Sequence, residues 1–456
     1  MKVRLTLGWV VVLSLVAAIG YAQSPARTLS LSEALEIARR NNPDYRSALN
    51  DRWSAGIQNT SSTLSMFLPS ADLSASRSRS AAGRRSPGNG IPPQTYPAVT
   101  SYDWSLGVQY GLSGRTFANR GLAAANLRAV EQDIAGAQTT LETGVRSQYL
   151  LLLELQARED LARRSLDRVT ENLNLARARH SVGQGTLIDV RRAEVDKGRA
   201  DVALMQAEQA TQNQVLSLFQ TLGVPAPAEL RVQLTDSFPV TEPAWQQEQL
   251  VQQALEQNPG LLSLRARNES ARWNVRAARS QFLPSLFFSA GLGGNRLETL
   301  ADTNARDSLG VPITSGPLMP VSEKSSSPFR FTIGVSLPLF EPLSRNVGVQ
   351  QARADADDLR QQIRARELNV RAAVTSAYQG LLIAYRTIDV ERAGRAAATE
   401  ALELATQRYR VGSGTYLELL DARLAADQAD EAYVRAVYTY HRAIATLENA
   451  VGRPLR

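Results

Sequence analysis

The sequence has no cysteine and only two histidines. The absence of cysteine excludes disulfide bonds, thiolate metal sites, a cysteine nucleophile and a lipid-bearing N-terminal cysteine. His180 and His441 have no suitably spaced partner, so the sequence predicts no metal site. It also lacks a Gly-Lys-Ser/Thr phosphate loop and a Gly-x-Ser-x-Gly nucleophile elbow. We therefore expect that the protein has no catalytic residues, binds no cofactor and is not an enzyme.

Long apolar runs are absent as well, except at the N-terminus, which excludes a later transmembrane helix. Lys2 and Arg4 precede a short apolar run, and Gly20 and Ala22 fit a cleavage site, so residues 1–22 are predicted to be a signal peptide. The formal charge of +7 comes from basic residues mixed with acids along helical stretches. This mixture indicates solvated faces, and no nucleic-acid partner is expected.

The chain contains an internal duplication. Val-Gly-Gln-Gly-Thr at 182–186 recurs as Val-Gly-Ser-Gly-Thr at 411–415, and the motifs Asn-Pro and Phe-Leu-Pro-Ser also occur once in each half. Each glycine pair separates two long helical patterns and permits a tight reversal, after which the threonine can cap the next helix. Each pair is therefore predicted to be the tip of a helical hairpin.

Two repeats and a linker follow from this duplication. The first repeat is predicted at 23–223, with a helical hairpin at about 117–222, and the second at 246–456, with a hairpin at about 343–451. A proline-marked linker joins them at 224–245. Apolar residues at coiled-coil spacing predict faces that require lateral packing. They include Leu166, Val169, Leu173 and Ala176, then Val195, Val202, Met205, Leu216 and Phe219, and finally Tyr433, Val437, Tyr440, Ile444, Leu447 and Val451.

Each repeat also holds two stretches of period-two hydrophobicity that predict strands, at about 70–80, 103–113, 285–294 and 329–339. Strands of about ten residues can cross a bilayer when tilted, but a half-buried soluble sheet gives the same pattern. Long connections rich in glycine and proline, at 81–102 and 295–328, favour the membrane interpretation. Because four strands cannot close a barrel, the barrel would be shared between chains. The predicted fold class is α+β and mainly α.

The leader, the duplicated order of helices and strands, and the paired tips resemble the TolC family of outer-membrane efflux ducts. The resemblance covers essentially the whole mature chain. It implies a homotrimer in the lipid of the bacterial outer membrane, with a twelve-stranded barrel, a periplasmic tunnel of twelve long helices and the linker at the equator of the tunnel. It also implies a passive exit duct for small molecules or polypeptides. The tips would meet a periplasmic membrane-fusion adaptor and a proton-driven or ATP-driven inner-membrane pump.

The resemblance assigns roles to residues near the tips. It implies a periplasmic gate of Leu417, Glu418 and Asp421, and a latch between Tyr409 and Asp189. It implies adaptor contacts at Val182, Gly183, Gly185, Thr186, Val411, Gly412, Gly414 and Thr415. Two positions depart from the family pattern: Gly414 stands where the family has a latch arginine, and Arg192 replaces a carboxylate of the first repeat. An acid in the first turn of a helix also stabilises the helix dipole, which is an alternative role for Glu418.

Two other interpretations stay open on the sequence alone. A non-conducting coiled-coil protein that spans the envelope would share the helices but would not need the strands or their long connections. A soluble periplasmic enzyme is disfavoured because no catalytic constellation is present, and such an enzyme would not require detergent.

Overall fold

The computed structural model describes residues 27–81, 83–85, 94–96, 98–300, 321–340 and 343–455. The predicted signal peptide at 1–22 lies outside these residues, as do parts of the two predicted long connections. Helices dominate the described residues and strands are few, which confirms the expected mainly helical α+β class.

Two pairs of helices are much longer than the rest. The helices are α1 (Leu31–Asn41), α2 (Pro43–Leu64), α3 (Gly114–Ser181), α4 (Leu187–Leu222), α5 (Gln247–Gln257), α6 (Pro259–Arg279), α7 (Ser344–Arg410) and α8 (Tyr416–Val451), with a 3-10 turn at Ser280–Phe282. α3 and α4 have 68 and 36 residues, and α7 and α8 have 67 and 36. Within the described ranges, no helix is both long enough and apolar enough to cross a membrane.

The strands form one larger sheet and two small pairs. They are β1 (Arg27–Leu29), β2 (Ser70–Ser80), β3 (Gly83–Arg85), β4 (Gln94–Tyr96), β5 (Ala98–Leu112), β6 (Val232–Leu234), β7 (Ser285–Leu300) and β8 (Val321–Ser336). The larger sheet has the order β2-β5-β7-β8 and is antiparallel throughout. β1 pairs with β6 in parallel, and β3 pairs with β4 in antiparallel orientation.

Three strands of the larger sheet differ from the bounds predicted from hydrophobicity. β5 begins at Ala98 instead of 103, β7 continues to Leu300 instead of 294, and β8 covers Val321–Ser336 instead of 329–339. Many of the added residues are polar, and main-chain pairing continues through them because it does not depend on apolar alternation. β8 ends before Pro338, which has no N–H to donate to a ladder.

The predicted linker at 224–245 contains β6, a strand that the sequence analysis missed because it has only three residues. The Tyr149 hydroxyl fixes the segment beside it, lying 2.6 Å from Asp236 Oδ2 and 2.9 Å from the Leu29 carbonyl oxygen. Burial and the neighbouring Asp236 carboxylate raise the pKa of Tyr149 above its ordinary value. The Leu31 N–H donates to the same carboxylate at 2.6 Å.

The described chain divides into two compact units. The first contains the described residues up to Pro43, Leu141–Ala244 and Gln379–Thr446, and the second contains Asp44–Thr140, Trp245–Tyr378 and Leu447–Arg456 as far as they are described. One motif occurs in each. In the first unit, Asn42 Nδ2 donates to the Thr221 carbonyl at 2.9 Å. In the second, Asn258 Nδ2 donates to the Ala450 carbonyl at 3.3 Å.

The predicted packing faces of α3 and α8 are largely buried within the single chain, whereas of the predicted apolar face of α4 only Phe219 is buried there. Val169, Leu173 and Ala176 of α3 are buried, as are Tyr440, Ile444, Leu447 and Val451 of α8. In α4, however, Val195, Val202, Met205 and Leu216 are about half exposed. The buried face of α4 includes the polar Asp196, Thr211 and Gln214, and hydrophobic spacing cannot detect such positions.

Gly223 ends α4 in a backbone conformation that other residues rarely adopt. Its φ is +75°, and a Cβ atom placed there would lie 2.5 Å from the Asn41 carbonyl oxygen. We expect Gly223→Ala to lower the free energy of unfolding by about 2 kcal/mol, because of the left-handed conformation and the contact with backbone. Circular dichroism melting in detergent measures this. Gly198→Ala, on the same helix with open space around the new methyl group, is the matched control and should be neutral or stabilising.

Candidate functional site

The first helical tip is closed by backbone and side-chain hydrogen bonds. Gly183 has φ +77°, and its N–H donates to the His180 carbonyl at 3.1 Å, which ends α3. Thr186 then caps α4. Its hydroxyl accepts from the Asp189 N–H at 3.2 Å, while its own N–H donates to Asp189 Oδ2 at 3.3 Å. This reciprocal capping box directs the Asp189 carboxylate toward the start of its own helix.

The second tip repeats the glycine turn and the threonine cap. Gly412 has φ +81°, and its N–H donates to the Tyr409 carbonyl at 3.2 Å. The Thr415 hydroxyl accepts from the Glu418 N–H at 3.2 Å at the start of α8. Glu418 Oε2 also lies 3.6 Å from Arg408 Nη2. The predicted gate acid is therefore close to a cation of its own hairpin.

Two arginines hold the tip loops, and the sequence analysis missed both. Arg179 Nη2 donates to the Gln184 carbonyl at 3.2 Å, and Arg408 Nη2 donates to the Ser413 carbonyl at 3.4 Å. Arg179 also joins the two tips. Its Nη1 donates to the Tyr409 carbonyl, and its guanidinium lies 4.6 Å from the centroid of the Tyr409 ring. The sequence does hold a signal that could have found them, because Arg179 and Arg408 occupy equivalent positions in the two repeats.

The two tips share a buried cluster in which aromatic rings are central. Its members are Leu173, Ala176, Val190, Ala193, Tyr409, Tyr416 and Leu419. The Tyr409 and Tyr416 ring centroids are 5.8 Å apart in an edge-on arrangement. Burial raises the pKa of the Tyr409 hydroxyl and outweighs the opposing effect of the Arg179 cation.

A hydrogen bond between two buried residues joins α8 to α4. The Tyr416 hydroxyl donates to Asp196 Oδ2 at 2.9 Å, and both residues are buried. Burial is the largest cause of the raised pKa of the Tyr416 hydroxyl, and this hydrogen bond is the next largest. The sequence analysis missed the pair, although Asp196 lies seven positions after Asp189 on the same helix and so on nearly the same face.

Charged residues continue this contact between helices away from the tips. Asp427 of α8 accepts from Arg168 Nη2 at 2.5 Å and from the Ser165 hydroxyl at 2.7 Å, both on α3. Arg423 is buried one turn earlier on α8, with its Nε 3.9 Å from Asp427 Oδ2. These side chains and Asp196 line a cavity of about 250 Å³. The buried side of α8 is thus tied to the first hairpin by polar contacts.

The three predicted gate residues occupy the opposite, exposed side of α8. Leu417, Glu418 and Asp421 are exposed, whereas Tyr416, Leu419 and Arg423 are buried. Val182 and Val411 are exposed at the two tips. Tyr409 and Asp189 lie near enough for the carboxylate to influence the tyrosine pKa. In the part of the chain that the structure describes, no hydrogen bond joins these two side chains.

No group of three or more metal-ligating side chains comes together within the described ranges. His180 contacts its own tip, where Nδ1 lies 3.2 Å from the Gly185 carbonyl oxygen.

Glu194 of α4 accepts hydrogen bonds from Arg177 of α3 and from Arg191. The bond from Arg177 is the larger cause of the lowered pKa of Glu194, and that from Arg191 adds to it.

Comparison with known proteins identifies the family. The family model described as outer membrane efflux protein matches residues 34–224 and 250–453. The chain belongs to the outer membrane efflux protein family. The resemblance to the TolC family inferred from the paired tips is thereby confirmed, and membership supports an outer-membrane location and a role in efflux.

Two curated relatives and one solved structure are similar over most of the chain. TolC of Vibrio cholerae is 25% identical, with 96% of this chain and 93% of that protein covered. The outer membrane efflux protein BepC of Brucella suis is 27% identical over 69% of this chain, and the match spans 64% of its own length. The CmeC outer membrane channel of Campylobacter jejuni has the same fold, with a TM-score of 0.73 and 19% identity over 92% of this chain and 85% of that one. BepC is named as an efflux protein and CmeC as a channel, and none of the three names describes an enzyme, which favours a transport role.

Proposed function

We propose that this chain forms a passive exit duct in the bacterial outer membrane, as part of a tripartite efflux or secretion system. One combination of features carries the proposal: a sheet with one apolar and one polar face, followed along the chain by long helical hairpins with equivalent tips. The cargo would be small toxic molecules or polypeptides. Because the sequence has no phosphate loop, an inner-membrane pump, proton-driven or ATP-driven, would supply the energy.

The two faces of the sheet support a membrane barrel. Along paired rows, one face carries Val108, Phe288, Phe331, Ile333 and Val335, and the opposite face carries Asp72, Ser74, Ser105, Gln109 and Ser289. Alternation of this kind suits strands with lipid on one side and a watery lumen on the other. Three copies would supply twelve strands, with the edge strands β2 and β8 pairing between copies. This supports a homotrimer.

The matching hairpins and matching asparagine contacts support two repeats, at 23–223 and 246–456. The segment at 224–245 would then connect them at the equator of a periplasmic tunnel. The helices would extend into the periplasm, with the tips at the far end. Long helices of this kind bury their apolar faces by packing side by side, which a tunnel wall provides.

The exposed tips support contact with a periplasmic adaptor. Their residues at 182–186 and 411–415 present two similar glycine turns, each followed by a threonine cap. An adaptor that binds one turn would find a second of the same shape. The glycines also have a conformational role, because Gly183 and Gly412 have positive φ.

The gate would lie on the exposed side of α8, at Leu417, Glu418 and Asp421. Leu417 would narrow the entrance, and the two acids of three copies would form rings around it. Tyr409 and Asp189 would act as a latch that holds the second hairpin closed. Arg179 contacts the Tyr409 ring and carbonyl and supports the same closed position.

Conductance in a planar bilayer tests the duct and the latch. We expect the purified wild-type protein to give small discrete channels and Tyr409→Phe to give larger ones. The variant removes only the hydroxyl and keeps the ring that packs beneath Arg179. Unchanged conductance in Tyr409→Phe would reject the latch, and unchanged conductance in Asp189→Ala would do the same.

The same experiment distinguishes the duct from a non-conducting protein that tethers the envelope. Absence of channels from detergent-extracted wild-type protein would favour the tether. A monomer that needs no detergent and gives no channels would instead place the four strands in a soluble sheet.

A further inference from the structure

A row of basic side chains crosses the larger sheet. The register places Arg77 of β2 opposite Tyr102 of β5, Tyr102 opposite Arg296 of β7, and Arg296 opposite Lys324 of β8. We call these four residues the basic row. Residues paired directly across strands have side chains on the same face, so the three cations and the tyrosine share one side of the sheet. At about 4.8 Å per strand, the row is about 14 Å wide.

The basic row lies on the apolar face of the sheet. Leu73, Leu106 and Leu292 form another row on that face, and Trp104 lies between the two rows. Arg77 is four positions beyond Leu73, or about 13 Å along the strand. The apolar face thus changes over this distance from leucines, through a tryptophan, to cations and a tyrosine. Membrane strands show this order where hydrocarbon gives way to headgroups.

Chain connectivity shows which end of the sheet carries the row. β2 and β7 begin close after helical segments, and β5 and β8 lead into α3 and α7, so all four strands meet helices at one end. The basic row is nearer the other end. If the helices extend into the periplasm, as proposed above, the row lies at the level of the outer leaflet. This inference rests on the proposed function.

The row brings like charges close together. Arg296 and Lys324 are directly opposite each other, an arrangement of like charges that destabilises an antiparallel pair. Glu298 offsets one charge, with its Oε1 2.8 Å from Arg296 Nη2. Arg77 lies 5.3 Å from the centroid of the Tyr102 ring, and its side chain is exposed. An anion placed along the row would relieve the repulsion.

We propose that the basic row binds the phosphate-bearing headgroup of an outer-leaflet lipid. Guanidinium groups form paired hydrogen bonds with phosphate oxygens, and a lysine at the bilayer interface reaches the same level with its flexible chain. A groove of about 720 Å³ beside the row is lined by all four of its residues together with Trp104 and Ser326. The aromatic rings would contact the sugar or glycerol part of the headgroup, while the lipid chains lie against the leucine row.

Binding of lipid A, a phosphorylated glycolipid, tests the proposal. The probe is lipid A added to wild-type protein in nanodiscs of phosphatidylcholine, with bound lipid measured after extraction by native mass spectrometry. We expect Arg77→Gln/Lys324→Gln to bind at least about tenfold more weakly than wild type, because two charge-assisted contacts are lost. Lys324→Gln alone should give a smaller loss in the same direction.

The control variant removes two positive charges from positions outside the basic row. Arg330→Gln/Arg353→Gln removes one cation from the opposite face of β8 and one exposed cation from α7, and it should bind lipid A as wild type does. Equal binding by the two double variants would overturn the proposal. So would displacement of lipid A by inorganic phosphate at equal concentration, since this would show an anion site without lipid selectivity.

Conductance measurements distinguish failure of the lipid-binding proposal from failure of the proposed duct function. A conducting wild-type protein whose lipid A binding equals that of Arg77→Gln/Lys324→Gln overturns the lipid site alone. A wild-type protein that neither inserts nor conducts overturns both.

Discussion

Asp196→Ala is expected to open the proposed channel at rest more than any other single substitution described. Asp196 and Tyr416 are buried and share a 2.9 Å hydrogen bond between α4 and the first turn of α8. Leu417 and Glu418 of the proposed gate follow Tyr416 directly, so they cannot move outward without moving it. A hydrogen bond to a charged group contributes about 1.5–3 kcal/mol. If opening of the channel breaks this hydrogen bond, a variant without the bond should have a ratio of open to closed states that is higher by about tenfold to a hundredfold per copy.

The matched variant Asp196→Asn separates the hydrogen bond from the charge. The amide oxygen of asparagine can still accept from the Tyr416 hydroxyl, so its open probability should lie between those of wild type and Asp196→Ala. Single-channel recording in a planar bilayer gives these probabilities directly. A folded Asp196→Ala protein with the open probability of wild type would mean that the contact persists in the open state.

The position of this contact explains why the sequence could reveal only part of the site. The tips were predictable because glycine and threonine have specific backbone roles and the motif occurs twice. Asp196 and Arg423, however, are charged residues on helices, and the sequence favours exposure for such residues. Their burial depends on how the first hairpin packs against α8. Nothing in the local pattern around either residue indicates that packing.

The sheet shows a similar limit. Apolar alternation located each of the four strands of the larger sheet, because one face of each is apolar. It did not find the polar extensions of β5, β7 and β8, where main-chain hydrogen bonds continue without an apolar face. Three residues of the basic row, Tyr102, Arg296 and Lys324, lie in these extensions. Pairing of Arg296 with Lys324 is a property of the register, and the register becomes visible only when the strands are paired.

The exposed half of α4 shows a further limit, which concerns assembly. Val195, Val202 and Met205 follow the spacing of a packing face, yet they are about half exposed in the single chain. A homotrimer of the proposed kind would offer neighbouring copies as partners for such a face. Hydrophobic spacing detects a face that requires a partner. It does not tell whether the partner belongs to the same chain.

Glu418→Ala/Asp421→Ala is expected to abolish most of the cation preference of the proposed channel. Both acids are exposed on the side of α8 opposite to Tyr416, and they lie three positions apart near the start of the helix. Three copies would bring up to six carboxylates to the entrance, and a constriction lined by one sign of charge raises the local concentration of counter-ions about tenfold or more. The K⁺ to Cl⁻ permeability ratio, measured from reversal potentials under a salt gradient, should fall by about that factor.

The control for this experiment is Glu400→Ala/Glu403→Ala on α7. These two acids are also exposed and also three positions apart, so the variant removes the same charge at the same spacing from a place outside the proposed gate. Its permeability ratio should stay close to that of wild type. Arg408 lies 3.6 Å from Glu418 and offsets part of its charge, so Asp421→Ala alone should change selectivity more than Glu418→Ala alone. Equal selectivity in both double variants and in wild type would mean that Glu418 only stabilises the helix dipole of α8. The selective constriction would then lie elsewhere.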